Sequence, residues 1–190
     1  MTNLYVAEKA SVGKALANVL PGAKNREENF IRCGEHSGDI VAWASGHLLE
    51  LCEPEDYDPA YKKWSRDTLL YVPDRWKLKE KERTKSLFLS LKKLIRGLSP
   101  SDTVVNVGDG DREGQTLIDE ILEHCGWKGQ TKRLRLNDVN SDAIRKALSN
   151  MKDNTEYRGE YRAGQARMYA DWLVGNPRLY KNRDEIRILL

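Results

Sequence analysis

No stretch of this 190-residue chain approaches the ~18 consecutive apolar residues of a membrane-spanning helix, so nothing in it is expected to cross a bilayer. The opening Met1-Thr2-Asn3 lacks the basic-then-apolar pattern of a secretory leader. Cysteine is scarce: Cys33, Cys52 and Cys125 are odd in number, far apart and without CxxC pairing. That argues against a disulfide framework and a cysteine zinc site, and for a reducing cytoplasm. His36, His47 and His124 have no metal-ligand spacing. There is no internal repeat, low-complexity tract or Gly/Ser linker. A large net charge is missing too. Lys+Arg 32 against Asp+Glu 29 leaves +3, which excludes a histone-like polycation.

What is present is a chain long enough for one full domain, usually about 100–200 residues, plus a short appendage. Its charge is polarised in segments. Residues 26–60 hold two arginines against nine acids, whereas residues 75–96 hold nine basic residues against two acids. Such a chain can present one basic surface.

Leu4-Tyr5-Val6-Ala7 reads as a buried strand, followed by a helix from Ser11, a plausible N-cap, to Val19 or Leu20 before Pro21-Gly22. Phe30–Cys33 and Asp39–Ala44 read as paired strands around the turn-rich segment 34–38. Residues 52–68 carry acids, two prolines, Tyr57, Tyr61 and Trp64, and read as a mostly irregular insertion. Leu87, Phe88, Leu91, Leu94, Ile95 and Leu98 recur at helical spacing. Thr103–Val107 is β-branched and apolar, the mark of a strand buried on both faces. Leu117, Ile118, Ile121, Leu122 and Cys125 predict a helix after Gly108–Asp111, and Arg133–Leu136 a further strand. Asn140 or Ser141 caps a helix through Met151, and residues 156–174 predict a last helix. The alternation implies an α/β fold with a mainly parallel sheet and helices on both faces.

Functional groups of such sheets gather beyond the carboxyl ends of the strands. Two clusters fall there: Glu8-Lys9 after the first strand, and Asp109-Gly110-Asp111-Arg112-Glu113-Gly114 after Thr103–Val107. The second packs three carboxylates at alternating positions into one strand-to-helix turn. Acids that close repel one another unless a cation neutralises them, and all-oxygen donors suit Mg²⁺. Gly108, Gly110 and Gly114 permit a tight turn and close approach of a phosphate backbone. The same acids at a helix start also complement its dipole in solvent. Residue types alone leave both readings open.

The Gly108–Gly114 turn resembles the DxDxE turn of the Toprim domain, and Glu8-Lys9-Ala10-Ser11 resembles that domain's glutamate motif. Toprim domains occur in topoisomerases, bacterial primases and some nucleases. Trp43–Glu50, Tyr57–Trp64 and Asp171–Gly175 are further similar to bacterial type IA DNA topoisomerases of the topoisomerase III kind. The likeness runs from Leu4 to about Gly175. It implies a Rossmann-like Toprim domain over residues 1–152 and the truncated start of a helical domain over 153–190.

In type IA enzymes a tyrosine attacks a DNA phosphodiester, forms a 5′-phosphotyrosine link, lets a strand through and reseals the break. Carried over by position, Asp109 and Asp111 hold Mg²⁺, with Glu8 as a further ligand or as general acid for the leaving 3′-oxygen. Glu113 supports the metal site, and Lys9 stabilises charge on the phosphoryl oxygens. Arg112 orients the acids or forms a structural salt bridge. Trp64 and Trp172 fall in segments that touch single-stranded DNA, where aromatic faces stack bases. Arg167 and Arg178 are candidate phosphate contacts. A tryptophan in the Asp171-Trp172-Leu173 context also serves as core. The resemblance further implies a bacterial, nucleoid-associated protein.

The sequence departs from the family at four places. Ala10 and Gly110 stand where proline is usual, which loosens a turn without removing a ligand. Gly175–Leu179 is shortened, and Asn182–Leu190 no longer resembles the family. The eight tyrosines all lie outside the nucleophile motif, so the gate domain that carries it is expected to be missing and the chain to be inactive alone. A self-contained Toprim nuclease using water, and a non-catalytic DNA-binding module, remain the alternatives.

Overall fold

The computed structural model describes residues 1–34, 38–63 and 71–175. The chain divides into two compact units, Met1–Leu49 with Glu80–Gly164, and Glu50–Lys79 with Gln165–Leu190.

The first unit is built on β1 (Asn3–Ala7), whose last four residues are buried. Helix α1 (Ala10–Val19) follows, then β2 (Lys24–Arg26), β3 (Phe30–Cys33) and β4 (Asp39–Trp43). After β5 (Leu49–Leu51), α2 (Pro54–Tyr57) and β6 (Leu78–Glu80) come α3 (Lys85–Arg96) and β7 (Thr103–Val107). The chain continues through α4 (Arg112–Cys125), β8 (Gln130–Arg133), α5 (Ser141–Ser149), β9 (Lys152–Asp153) and α6 (Arg158–Gly175).

Seven strands form one sheet in the order β2-β3-β4-β1-β7-β8-β9. Its centre is parallel: β1 pairs with β4 and β7, and β7 with β8. The edges are antiparallel, β2 on β3, β3 on β4 and β9 on β8. Parallel strands need crossover helices, which cover both faces and explain why β1 and β7 read as unbroken apolar runs. β5 and β6 form a separate two-stranded sheet.

Side chains alternate across the sheet. Tyr5, Ala7, Val41, Trp43, Val105 and Val107 join one core cluster with Leu16 and Ala17 of α1 and Ile144 of α5. Leu4, Val6 and Val104 are fully buried at the alternate positions, and α4, which packs on β7, contributes Leu117, Ile118 and Ile121 to the interior. Phe88, Leu91 and Ile95 of α3, which packs on α4, are buried as their helical spacing requires. Burying each such side chain stabilises by roughly 1.5–3 kcal/mol. Cys33, Cys52 and Cys125 are free thiols in buried positions.

In the second unit, Trp76 stacks on Tyr169 with ring centroids 4.3 Å apart. Tyr71 packs against Tyr57 and Tyr61. Among the described residues no helix is long and apolar enough to cross a membrane.

Several elements differ from the sequence reading. Lys9, not Ser11, is the N-cap of α1, because the backbone turns helical directly after the strand. The strand expected over Arg133–Leu136 lies at Gln130–Arg133. Its ladder with β7 ends at Asn106 opposite Arg133, and Leu134 and Leu136 reach the core from the chain leaving the sheet. α5 stops at Ser149, and the following residues form β9 and a 3-10 turn, Asn154–Tyr157, before α6. The insertion contains α2 and a 3-10 turn at Pro59–Lys62, while residues 64–70 lie outside the described part.

Candidate functional site

β1 and β7 are parallel neighbours in register, Ala7 opposite Val107, so the residues after each emerge at the same sheet edge. This brings together two clusters a hundred residues apart in the chain. The Asp109 N–H donates to Glu8 Oε2 at 3.2 Å. Lys9 Nζ lies 2.5 Å from Asp109 Oδ2 and 3.5 Å from Glu8 Oε1. One ammonium thus bridges two carboxylates at the rim. Its hydrogen bond to Asp109 and the charge of Glu8 raise the Lys9 pKa above the ordinary lysine value.

Tight packing shapes the loop. A Cβ on Gly108 would lie 2.1 Å from the Gly114 carbonyl oxygen, and one on Gly114 would lie 2.4 Å from Asp109 N. Only glycine fits at either position. Gly110 is different, since a Cβ there meets nothing closer than 3.9 Å. An open cleft of about 330 Å³ borders Asp109 and Gly110, walled in part by Val12, Leu136 and Asn137.

The other acids of the turn are placed otherwise. Asp111 is the N-cap of α4, its Oδ1 accepting the Gly114 N–H at 2.8 Å. Glu113, in the first turn, points to solvent with Oε1 3.4 Å from His47 Nε2. Arg112 is exposed, and among the described residues it pairs with none of the acids. The structure therefore joins Glu8, Lys9 and Asp109, and leaves Asp111 and Glu113 in helix-start roles. Among the described residues no three His, Cys, Asp or Glu side chains converge as a metal cluster.

Trp64 and Arg178 lie outside the described residues. Arg167 is exposed and 3.6 Å from Asp171, one helical turn on. Trp172 packs edge-on against Trp76, centroids 5.2 Å apart, within the second unit. His124 lies edge-on to Phe88, and burial lowers its pKa.

Beneath the rim is a layer that the sequence reading missed. Arg133, 1% exposed, donates from Nη1 to Gly108 O at 2.9 Å and to Asn106 O, Asn106 Oδ1 and Leu134 O at 3.2 Å. Its Nη2 donates to Asp109 O at 2.6 Å. Burial pushes this guanidinium down to about 10, so it stays charged at neutral pH. Arg135 donates to Gly110 O and pairs with Glu160 at 3.2 Å. Asn106, buried in β7, donates 3.1 Å to Asp119, which also accepts from Asn154 at 2.9 Å and Gln115 at 2.7 Å. The only signal for this layer was a polar Asn106 inside an apolar strand.

Comparison with known proteins bears on the same span. The Toprim domain profile matches residues 3–155. A DNA topoisomerase 3 of Vibrio cholerae is 37% identical over 179 residues, 92% of this chain and 27% of that protein. A DNA topoisomerase 3 of Haemophilus influenzae is 38% identical over 176 residues, covering 90% of this chain and 26% of its own length. The chain thus spans about a quarter of the length of these relatives. In fold it is similar to topoisomerase I from Thermotoga maritima, with TM-score 0.55 and 17% identity over 88% of this chain and 24% of that one. Both acidic turns, at the carboxyl ends of β1 and β7, lie inside the matched span, and the chain belongs to the Toprim domain family.

Proposed function

We propose that this chain is the metal-binding Toprim portion of a type IA DNA topoisomerase, which cleaves and rejoins single DNA strands through a 5′-phosphotyrosine link. The observation that carries this reading is the single cation, Lys9 Nζ, held between Glu8 and Asp109 at the carboxyl edge of two parallel strands. The likeness to proteins named DNA topoisomerase 3 supports the choice of enzyme class.

The donors fit a hard divalent ion. Glu8 and Asp109 are oxygen ligands that already share one positive charge, and Asp111 Oδ2 takes no bond among the described residues. We assign Asp109 and Asp111 to Mg²⁺, with Glu8 as a further ligand or as general acid and Glu113 supporting the site; Arg112, which pairs with none of these acids among the described residues, is left without a role in it. When bound, the ion supplies neutralisation of phosphoryl charge. Lys9 then turns from the carboxylates to a phosphate oxygen, where its ammonium stabilises developing negative charge. In the alternative role of general acid, Glu8 would deliver a proton to the leaving 3′-oxygen. The nucleophilic tyrosine belongs to a gate domain, the partner of this portion. Trp64, Arg167, Trp172 and Arg178 are assigned to single-stranded DNA. The Toprim match ends at residue 155, which supports a domain boundary between residues 152 and 153. The setting of this chemistry is the DNA of a bacterial cytoplasm.

Mg²⁺ titration of the chain is the test. Saturable binding is expected, weakened at least ~10-fold by Asp109→Asn and by Asp111→Asn. Unchanged affinity in both variants would sink the site assignment. Metal-dependent cutting of single-stranded DNA by this chain, abolished by Glu8→Gln, would identify a nuclease instead.

A further inference from the structure

The rim loop is held from below by a charge that, among the described residues, has no carboxylate within hydrogen-bond reach. Arg133 ends β8 and lies opposite Asn106; its Nη1 and Nη2 donate to main-chain carbonyls and the Asn106 amide oxygen, while its buried Nε has no partner among the described residues. Asp119 reaches it only through Asn106. A buried guanidinium without a direct counter-ion is costly, and an apolar side chain would fill the space without that cost. What the guanidinium adds is a rigid planar fork that collects carbonyls from one direction.

The consequence follows from peptide geometry. A trans peptide is planar, with C=O and N–H on opposite sides, and no cis bond occurs among the described residues. In the Gly108–Asp109 peptide the carbonyl accepts Arg133 Nη1 at 2.9 Å, and the N–H on the far side meets Glu8 Oε2 at 3.2 Å. In the next peptide the Asp109 carbonyl accepts Arg133 Nη2, which turns the Gly110 N–H the opposite way. Arg135 takes the third carbonyl in the row, Gly110 O. The Gly108 and Asp109 carbonyls thus face the buried fork, and the Asp109 N–H is presented to Glu8 at the rim.

We propose that Arg133 is a positioning residue: by clamping the Gly108 and Asp109 carbonyls it sets the peptide direction that aims Asp109 at Glu8. Its consequence for metal binding rests on the reading given under the proposed function, whereas the aiming itself is testable without metal.

The experiment is amide hydrogen exchange by NMR on the metal-free chain, followed by Mg²⁺ titration. Arg133→Lys keeps the charge but loses the fork. The Asp109 amide is expected to exchange on the order of tenfold faster, while amides of β1 and β7 keep their wild-type rates. An unchanged Asp109 amide, or equal acceleration throughout β7, would overturn the proposal, the latter by showing general loosening. Glu8→Ala in the otherwise unaltered chain gives an independent measurement if Arg133→Lys does not fold. It should expose the Asp109 amide selectively, and no change there would mean that the peptide does not face Glu8. In the titration, Arg133→Lys is expected to weaken Mg²⁺ on the order of tenfold. A wild-type chain that binds no Mg²⁺ but shows the selective exchange effect contradicts the metal reading and supports the clamp.

Discussion

Asp119 and Glu120 are consecutive carboxylates on α4, and the two sides of that helix treat them in opposite ways. On one side Asp119 accepts three side-chain hydrogen bonds, from Asn106, Gln115 and Asn154. Burial raises its pKa, and these three donors oppose the rise. On the other side Glu120 is 2% exposed and its Oε1 has no partner among the described residues. Burial, followed by the charges of Glu123 and Asp119, pushes it up to about 7. Lys81 is the cation that opposes this. A buried acid is therefore not one kind of feature: three donors offset the effect of burial on Asp119, whereas Glu120 is pushed up to about 7.

The comparison breaks most severely at Asp119. Asp119→Ala strips acceptors from three amide donors at once and is expected to cost about 4 kcal/mol, at roughly 1–3 kcal/mol per buried unsatisfied donor. Urea unfolding at pH 7 measures it; a loss under about 1 kcal/mol would mean that solvent replaces the carboxylate.

Glu120 sharpens the contrast through pH. Its folded pKa lies above the ordinary carboxylate value, so the folded state binds the proton more tightly. Its contribution to stability is full below about pH 4.5, is lost as pH rises through 7, and levels off above that. Glu120→Gln removes the titration and should stabilise the protein at pH 8 by about 3 kcal/mol, with almost no gain at pH 4.5. Parallel stability–pH curves for the two proteins would contradict the assignment.

Asp111 gives the smallest effect, because it sits at the exposed helix start. Asp111→Ala removes one cap and is expected to cost about 1 kcal/mol without metal, read as a lowered Tm. No change in Tm would show that the cap is redundant.

Much of the fold is readable from local pattern. β7 coincides with the expected Thr103–Val107 and β1 and β4 match to within a residue, because strands buried on both faces carry near-continuous apolar runs, while β3 matches through its alternation of buried and exposed residues. The short strands β2 and β9 escaped, since Lys24–Arg26 and Lys152–Asp153 are polar and exist only through pairing with a neighbour. β8 was misplaced by three residues because Leu134 and Leu136 mimic a strand while serving as core at its exit. At the site, Glu8, Lys9 and Asp109 were legible as strand-end polar residues. Asp111 and Glu113 looked like equal members of the same cluster, and only backbone geometry separated the helix cap from the rim.

Amphipathic spacing, apolar runs and the two glycine-framed acidic turns are properties of neighbouring residues, and they sufficed to imply an α/β sheet with its chemistry at the carboxyl edge. Which acids meet, and what lies under them, depends on pairings across a hundred residues. Arg133 shows the difference. In the alternation Arg133-Leu134-Arg135-Leu136 it reads as solvent-facing, yet it is fully buried, because the ladder ends at that residue and the carbonyls of the β7 loop replace water around its charge. Local sequence decides where elements form; the low-dielectric interior decides which polar groups find partners, since each is stable there only if its donors and acceptors converge.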